Sequence, residues 1–315
     1  MIGLRSAVPL VRALDLVSLG LARRRAARAN VVRALVAPLE PRVEAHARAR
    51  ASAPPPLVMF FVLAYALSWA WWLPIAVSGG SVGRGDAWPT HLPGLLGPLI
   101  AAIVVLAVTE GRTGVRRWIT TMVLWPRERR WQLAAVAPLA FLGLGLAAIA
   151  VTGDVPPTAE FIQYSGTAAS VGALAVAVVV NAFGEEAGWR GYALPRLQSR
   201  FGPTRATLLL AALWAGWHAP LFFILASYGN FSPLILPGFF IGLTAGALVL
   251  TSLYNGTGGS ILAVAVWHAS YNLAAATTAA DGIIAAIATT CVIFWAVSLV
   301  LRERAGQPAL GRPRC

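Results

Sequence analysis

The chain has 315 residues, of which 58% are hydrophobic and only 12% charged, a composition that excludes an ordinary soluble domain. Its net charge of +13 comes from 25 basic residues, all of them Arg, gathered between the apolar runs and in the N-terminal arm; this distribution fits anionic lipid headgroups and argues against nucleic acid as a partner. Two cysteines, Cys291 inside an apolar run and Cys315 at the end of the chain, can build neither a disulfide framework nor a CxxC metal site.

Residues 1–56 form a basic, Ala-rich arm ending in Pro54-Pro55-Pro56. Its first apolar stretch, Ala7 to Leu21, is interrupted by Arg12 and Asp15 and followed by Arg23-Arg24-Arg25, so it reads as an interfacial helix rather than a cleavable signal. Apolar runs then recur over 57–77, 92–109, 131–151, 168–184, 206–226, 233–254, 260–278 and 282–301. They predict an all-α polytopic membrane protein with about eight transmembrane helices over 57–304. Trp69, Trp71 and Trp72 near the end of the first run suit a membrane interface. The basic stretch from Gly111 to Arg130 is expected to lie in the interface as an amphipathic connector. Residues 305–315 form a short polar tail.

Most Arg residues fall in the N-terminal arm, the 111–130 connector, the 190–205 loop and the tail, which puts both termini in the cytoplasm. Gly79-Gly-Ser81-Val-Gly83 matches the Gly-x-Ser-x-Gly elbow by letter, but it follows a spanning run and lacks the strand-to-helix setting that elbow needs. A flexible turn is expected there.

The fourth run leads into Gly184-Glu185-Glu186-Ala-Gly188-Trp-Arg190. A charged side chain at mid-membrane costs about 2.5–3.5 kcal/mol on insertion scales, so ionisable residues there usually face a bundle interior or cavity. On a helix Glu186 and Arg190 share a face and can pair, while Glu185 points roughly 100° away. Glu185, without a local cation, is suited to proton transfer, with Glu186 held by Arg190. The Gly184 and Gly188 pair allows a neighbouring helix to approach closely. His218 and His268 also lie within predicted spanning runs; His268 shares a face with Asn272, and His218 shares one with Trp214. Pro220, just past His218, is expected to kink or end its helix. Such a set could activate water, bind a metal or relay protons.

At these residues the sequence resembles the CAAX prenyl protease and bacteriocin-processing (CPBP) family of intramembrane endopeptidases. That family's pattern is Glu-Glu-x-x-x-Arg, Phe-x-x-x-His and His-x-x-x-Asn. Here the pattern reads Glu185-Glu186-Ala-Gly-Trp-Arg190, Trp214-Ala-Gly-Trp-His218 and His268-Ala-Ser-Tyr-Asn272, with Trp214 where Phe is usual. The resemblance implies a cavity enclosed by the helices in which a peptide is hydrolysed near its membrane anchor. It also implies Glu185 as general base, His218 as its partner on water, and His268 and Asn272 at the carbonyl and oxyanion. Glu186 and Arg190 would support them. If the site holds a metal, zinc is the candidate and Glu185, His218 and His268 its ligands; a neutral amide such as Asn272 is a poor zinc ligand and a good oxyanion donor, which favours the metal-free version. The rival readings are a proton-coupled transporter and a non-proteolytic immunity-type protein of the same fold. The partners expected are a membrane-anchored peptide or protein and anionic lipid.

The Arg distribution also predicts that the loop carrying Asp154 and Glu160 lies opposite the termini. A cysteine at Thr158 is expected to react with an impermeant thiol reagent in intact cells; protection there would reverse the orientation.

Overall fold

The computed structural model describes residues 55–153, 155–229 and 236–311. The basic arm expected over 1–56 therefore lies outside the described residues but for its last two positions, as do Asp154, the start of the sixth run and the end of the tail. The membrane unit begins at Pro56. It runs through α1 Pro56–Val77, a short α2 Leu92–Leu95 leading into α3 Gly97–Thr109, α4 Gly111–Thr121, α5 Arg129–Thr152 and α6 Val171–Gly188. After a π-helical turn, Trp189–Ala193, come α7 Leu194–Trp217, the single turns α8 Leu221–Ile224 and α9 Ala226–Gly229, then α10 Leu236–Gly256, α11 Ile261–Ala275 and α12 Ile283–Arg304. Among the described residues there is no strand, only isolated bridges between Val82 and Leu225 and between Arg84 and Ser165.

Six described helices are long and apolar enough to cross a membrane by length and composition, against about eight expected. Two features account for the difference. Val171–Ile224 forms one helical run, yet Gly202, with φ 73 and ψ 170, breaks it just before Pro203, so this run contains two expected spans. The positive φ suits glycine. The other feature is α11, which is apolar but only 15 residues long. The 190–205 stretch, expected as a basic loop, is helical on both sides of Gly202.

Local signals explain the ends of the two central helices. Ser170 caps α6 by accepting from the Ala173 N–H, and Ser260 caps α11 through the Ala263 N–H at 2.9 Å. The Ser260 hydroxyl also donates to the Leu124 carbonyl, which ties the connector to the start of α11. α6 and α11 pack on one another, α6 also on α3, and α11 also on α5. α10 is buried without interruption from Ala245 to Asn255, whereas α1, α5 and α12 leave much of their surface outward. The bundle thus has an apolar rim around the helices that carry the acids and His268.

Glycine sets the closest of these contacts. A methyl at Gly184 would lie 2.6 Å from the Leu95 carbonyl oxygen, and one at Gly188 would lie 2.5 Å from the Pro98 carbonyl oxygen. The expected close approach is therefore made by α2 and the start of α3, backbone against backbone.

The folded chain adds contacts to three stretches read from the sequence. Trp72 is buried and donates to the His91 carbonyl at 2.9 Å, and Trp69 donates to the Trp217 carbonyl at 3.0 Å. Of the three indoles only Trp71 is exposed, and it too donates to a carbonyl, that of Thr90 at 2.8 Å. The 79–83 turn is fastened: the Val82 N–H donates to Ile224 at 2.6 Å and its carbonyl accepts from Ala226 at 3.1 Å. The tail folds back, with Leu310 buried, its N–H on the Glu303 carboxylate at 3.0 Å and its carbonyl on Asn255 at 2.8 Å.

The α6 contact yields a graded test. Gly184→Ala and Gly188→Ala are each expected to lower thermal stability in detergent by on the order of 1–3 kcal/mol, despite the roughly 1 kcal/mol gain in helix propensity. Gly172→Ala, on the same helix with open space at its Cβ, should be neutral or stabilising. Equal behaviour of the three variants would refute the close approach.

Candidate active site

The end of α6 and the π-helical turn place the first motif. Glu186 and Arg190 pair one turn apart, Nη1 to Oε1 at 2.9 Å, with 0% and 1% of their side chains exposed. The Leu194 N–H reaches back to the Trp189 carbonyl, a five-residue step that widens the helix just beyond the acids; such turns recur at functional sites. Glu186 Oε1 also meets His268 Nδ1 of α11 at 2.8 Å. A carboxylate only accepts, so Nδ1 carries the proton and Nε2 is left as the working nitrogen of His268.

Glu185 faces another way, as the helical spacing requires. Its Oε2 accepts from the Trp214 indole N–H of α7 at 2.6 Å, and the residue is 2% exposed. α7 ends at Trp217 with His218 as its C-cap, and the His218 N–H turns to Ala215 at 3.1 Å. That tightening frees the Trp214 carbonyl, which accepts from His218 Nδ1 at 2.7 Å. As with His268, the ring is left with Nε2 as its working nitrogen. The α7 end is held from outside by Trp69 on the Trp217 carbonyl and by the Tyr65 hydroxyl on the Leu213 carbonyl. Pro220 therefore lies beyond the helix end, as expected, and His218 sits at the helix terminus rather than within the span.

Trp214 lies between the two halves of the site. The Arg190 guanidinium carbon is 4.2 Å from its ring centroid, and the His218 and His268 rings are at 5.5 and 5.9 Å. Asn272 stands one turn beyond His268 on α11, and its amide nitrogen is buried with no hydrogen-bond partner. One turn before Glu185, Asn181 donates to the Tyr164 hydroxyl at 2.9 Å. Burial, with Tyr228 and Glu185 beside it, pushes the Tyr164 hydroxyl well above the usual phenol range, so it is neutral and can donate. Tyr164 comes from a loop whose backbone is bonded to Gly85 at 3.2 Å, while neighbouring Gly166 bonds Gly83 at 2.8 Å and Gln163 bonds Thr278 at 3.1 Å. An Arg84–Asp281 ion pair joins the same set of loops.

The fold thus joins Glu186, Arg190 and His268 by direct bonds, and Glu185 with Trp214 and His218 by another set; Asn272 joins through its place on α11. Sequence reasoning missed the Trp214 donor, the His268 to Glu186 bond and the Tyr164–Asn181 pair. Asn181, a polar residue one turn from Glu185 in an apolar run, was a usable signal. Glu185, His218 and His268 are the ligands expected if a metal is held. Among the described residues no group of three or more His, Cys, Asp or Glu side chains is gathered as a metal site, and one Glu185 oxygen is taken by the Trp214 indole. Both imidazoles keep Nε2 open, with Nδ1 held by Glu186 or by the Trp214 carbonyl, as metal-ligating histidines are also held; the donor types suit zinc, but the side chains are not drawn together as a ligand set here.

Residues 167–274 match the family described as type II CAAX prenyl endopeptidase Rce1-like. This stretch contains all three motifs. The chain is also 26% identical over 223 residues to the protein of Methanococcus maripaludis called CAAX prenyl protease 2, covering 68% of this chain and 80% of that protein. The two matches bear out the family resemblance read from the motifs and support a membrane-embedded CAAX-type endopeptidase.

The buried triad predicts the effect of breaking it. Arg190→Ala leaves Glu186 with His268 alone and removes the cation from the Trp214 ring, and is expected to cost about 3–5 kcal/mol of stability. Thermal unfolding in detergent measures it. A variant as stable as the parent would show that the pair does not hold the fold.

Proposed function

We propose that the chain is an intramembrane endopeptidase that hydrolyses a peptide bond next to the substrate's membrane anchor, using a water activated by Glu185 and His218. The observation that carries this reading is the convergence of the Glu-Glu-x-x-x-Arg, Trp-x-x-x-His and His-x-x-x-Asn segments on one buried site. In this reading Glu185 takes a proton from water as the hydroxyl oxygen adds to the scissile carbonyl, while His218 Nε2 orients that water. The oxyanion that forms accepts hydrogen bonds from His268 Nε2 and Asn272 Nδ2. The C–N bond then breaks and Glu185 returns the proton to the leaving amine.

His268 can donate from Nε2 only as an imidazolium when Nδ1–H is already given to Glu186. Glu186, itself fixed by Arg190, is the counter-ion for that form. The unpartnered amide nitrogen of Asn272 supports its assignment as the second donor. A proton-coupled transporter has no evident use for this donor.

The proposed substrate is a protein or peptide anchored in the membrane beside the bond cleaved. The relative's name, CAAX prenyl protease 2, makes a prenylated CAAX peptide the first probe. The Arg distribution supports a plasma-membrane protein with cytoplasmic termini, its basic connector against anionic lipid.

The test uses the full chain in lipid vesicles with an internally quenched farnesylated CAAX peptide, and compares membrane-anchored peptides in cells with and without Glu185→Gln. This substitution should lower turnover by about 10²–10⁴-fold while the protein stays folded; equal turnover would reject the assignment. In the same assay the metal-free mechanism predicts unchanged activity after chelation. Stoichiometric zinc, with activity lost on its removal and restored on its return, would overturn the metal-free step.

A further inference from the structure

Trp214 occupies the position where the resembled family carries Phe. A phenyl ring would keep an aromatic face for the cation and edges for the two imidazoles. It would have no donor for Glu185. The terminal torsion of a glutamate side chain is soft and broadly populated, so a carboxylate held only by packing samples many orientations. Here one oxygen accepts a short, charge-assisted bond from an indole, and that indole is itself wedged between the Arg190 guanidinium and the rings of His218 and His268.

We propose that Trp214 is a positioning residue for the reaction: its N–H fixes Glu185 Oε2 and leaves Oε1 as the oxygen that exchanges the proton with water. The inference rests on the peptidase reading and deepens it. Arg190 then orders both acids, Glu186 through an ion pair and Glu185 through the ring it stacks on. The Trp214 carbonyl orders His218 as well, so one residue sets the base and its partner from opposite ends.

The decisive variant replaces Trp214 by β-(3-benzothienyl)alanine, which keeps the ring's shape and puts sulfur where the N–H was; Trp214→Phe is its companion. With the farnesylated peptide as probe, kcat should fall by up to about 100-fold with KM within about twofold and thermal stability of the isostere unchanged. The bond itself is read by the indole ¹H–¹⁵N resonance of Trp214, assigned by its loss in Trp214→Phe, which should move upfield in Glu185→Ala. Parent-level kcat in the isostere, or an unmoved resonance, overturns the inference. Parent-level cleavage by Glu185→Gln, or no cleavage by the parent, sinks the peptidase reading instead, and the resonance still decides the bond.

Discussion

One carboxylate oxygen organises the centre of this molecule. Glu186 Oε1 accepts from Arg190 within its own helical segment and from His268 across the bundle, and all three side chains are buried. Taking such charges out of water costs several kcal/mol per ion, and mutual pairing is what offsets it. The arrangement is not a simple fork. Only Nη1 of Arg190 reaches the acid, while the guanidinium lies against the Trp214 ring, an attraction on the order of 2 kcal/mol when desolvated. The α6–α11 register is therefore fixed by polar atoms inside an otherwise apolar bundle.

Around that point the side chains are set by how helices end and how closely they meet. His218 works from a helix terminus because the last turn of α7 tightens and exposes a carbonyl to its ring. Asn181 and Tyr164 lock the helix one turn before the acids, and the loops bearing Tyr164, Arg84 and Asp281 are bonded to one another rather than left to solvent. Each of these contacts uses a group that an unpartnered helix end or loop would leave unsatisfied, which is the general cost of backbone at membrane depth.

Much of this was legible in sequence. The apolar runs marked nearly every long helix, and the i,i+4 spacings put Glu186 with Arg190 and His268 with Asn272 on shared faces. Pro220 announced the end of α7. What local pattern does not carry is contact between helices: nothing in Glu186 names His268 as its partner, and Trp214 reads as packing until Glu185 is seen beside its nitrogen. The π-helical turn adds an offset that ideal helical spacing omits. The count of spans differed because Gly202 interrupts a helix without ending it, and because α11, surrounded by other helices, is short.

The close approach at Gly184 and Gly188 bears on motion. With no room for a methyl group between α6 and the α2–α3 backbone, these elements cannot roll past one another without first separating. Under the proposed peptidase reading, a rearrangement that admits a peptide is taken up elsewhere than at this contact. Gly202 lies in the other direction along the chain, a non-helical position inside α7 between Glu185 and the end of the helix that bears Trp214 and His218. Rotation about that point would carry Trp214 and His218 together and part the Trp214 indole from Glu185, so such a movement would undo in one step the bond that holds the acid and the alignment of the histidine with it.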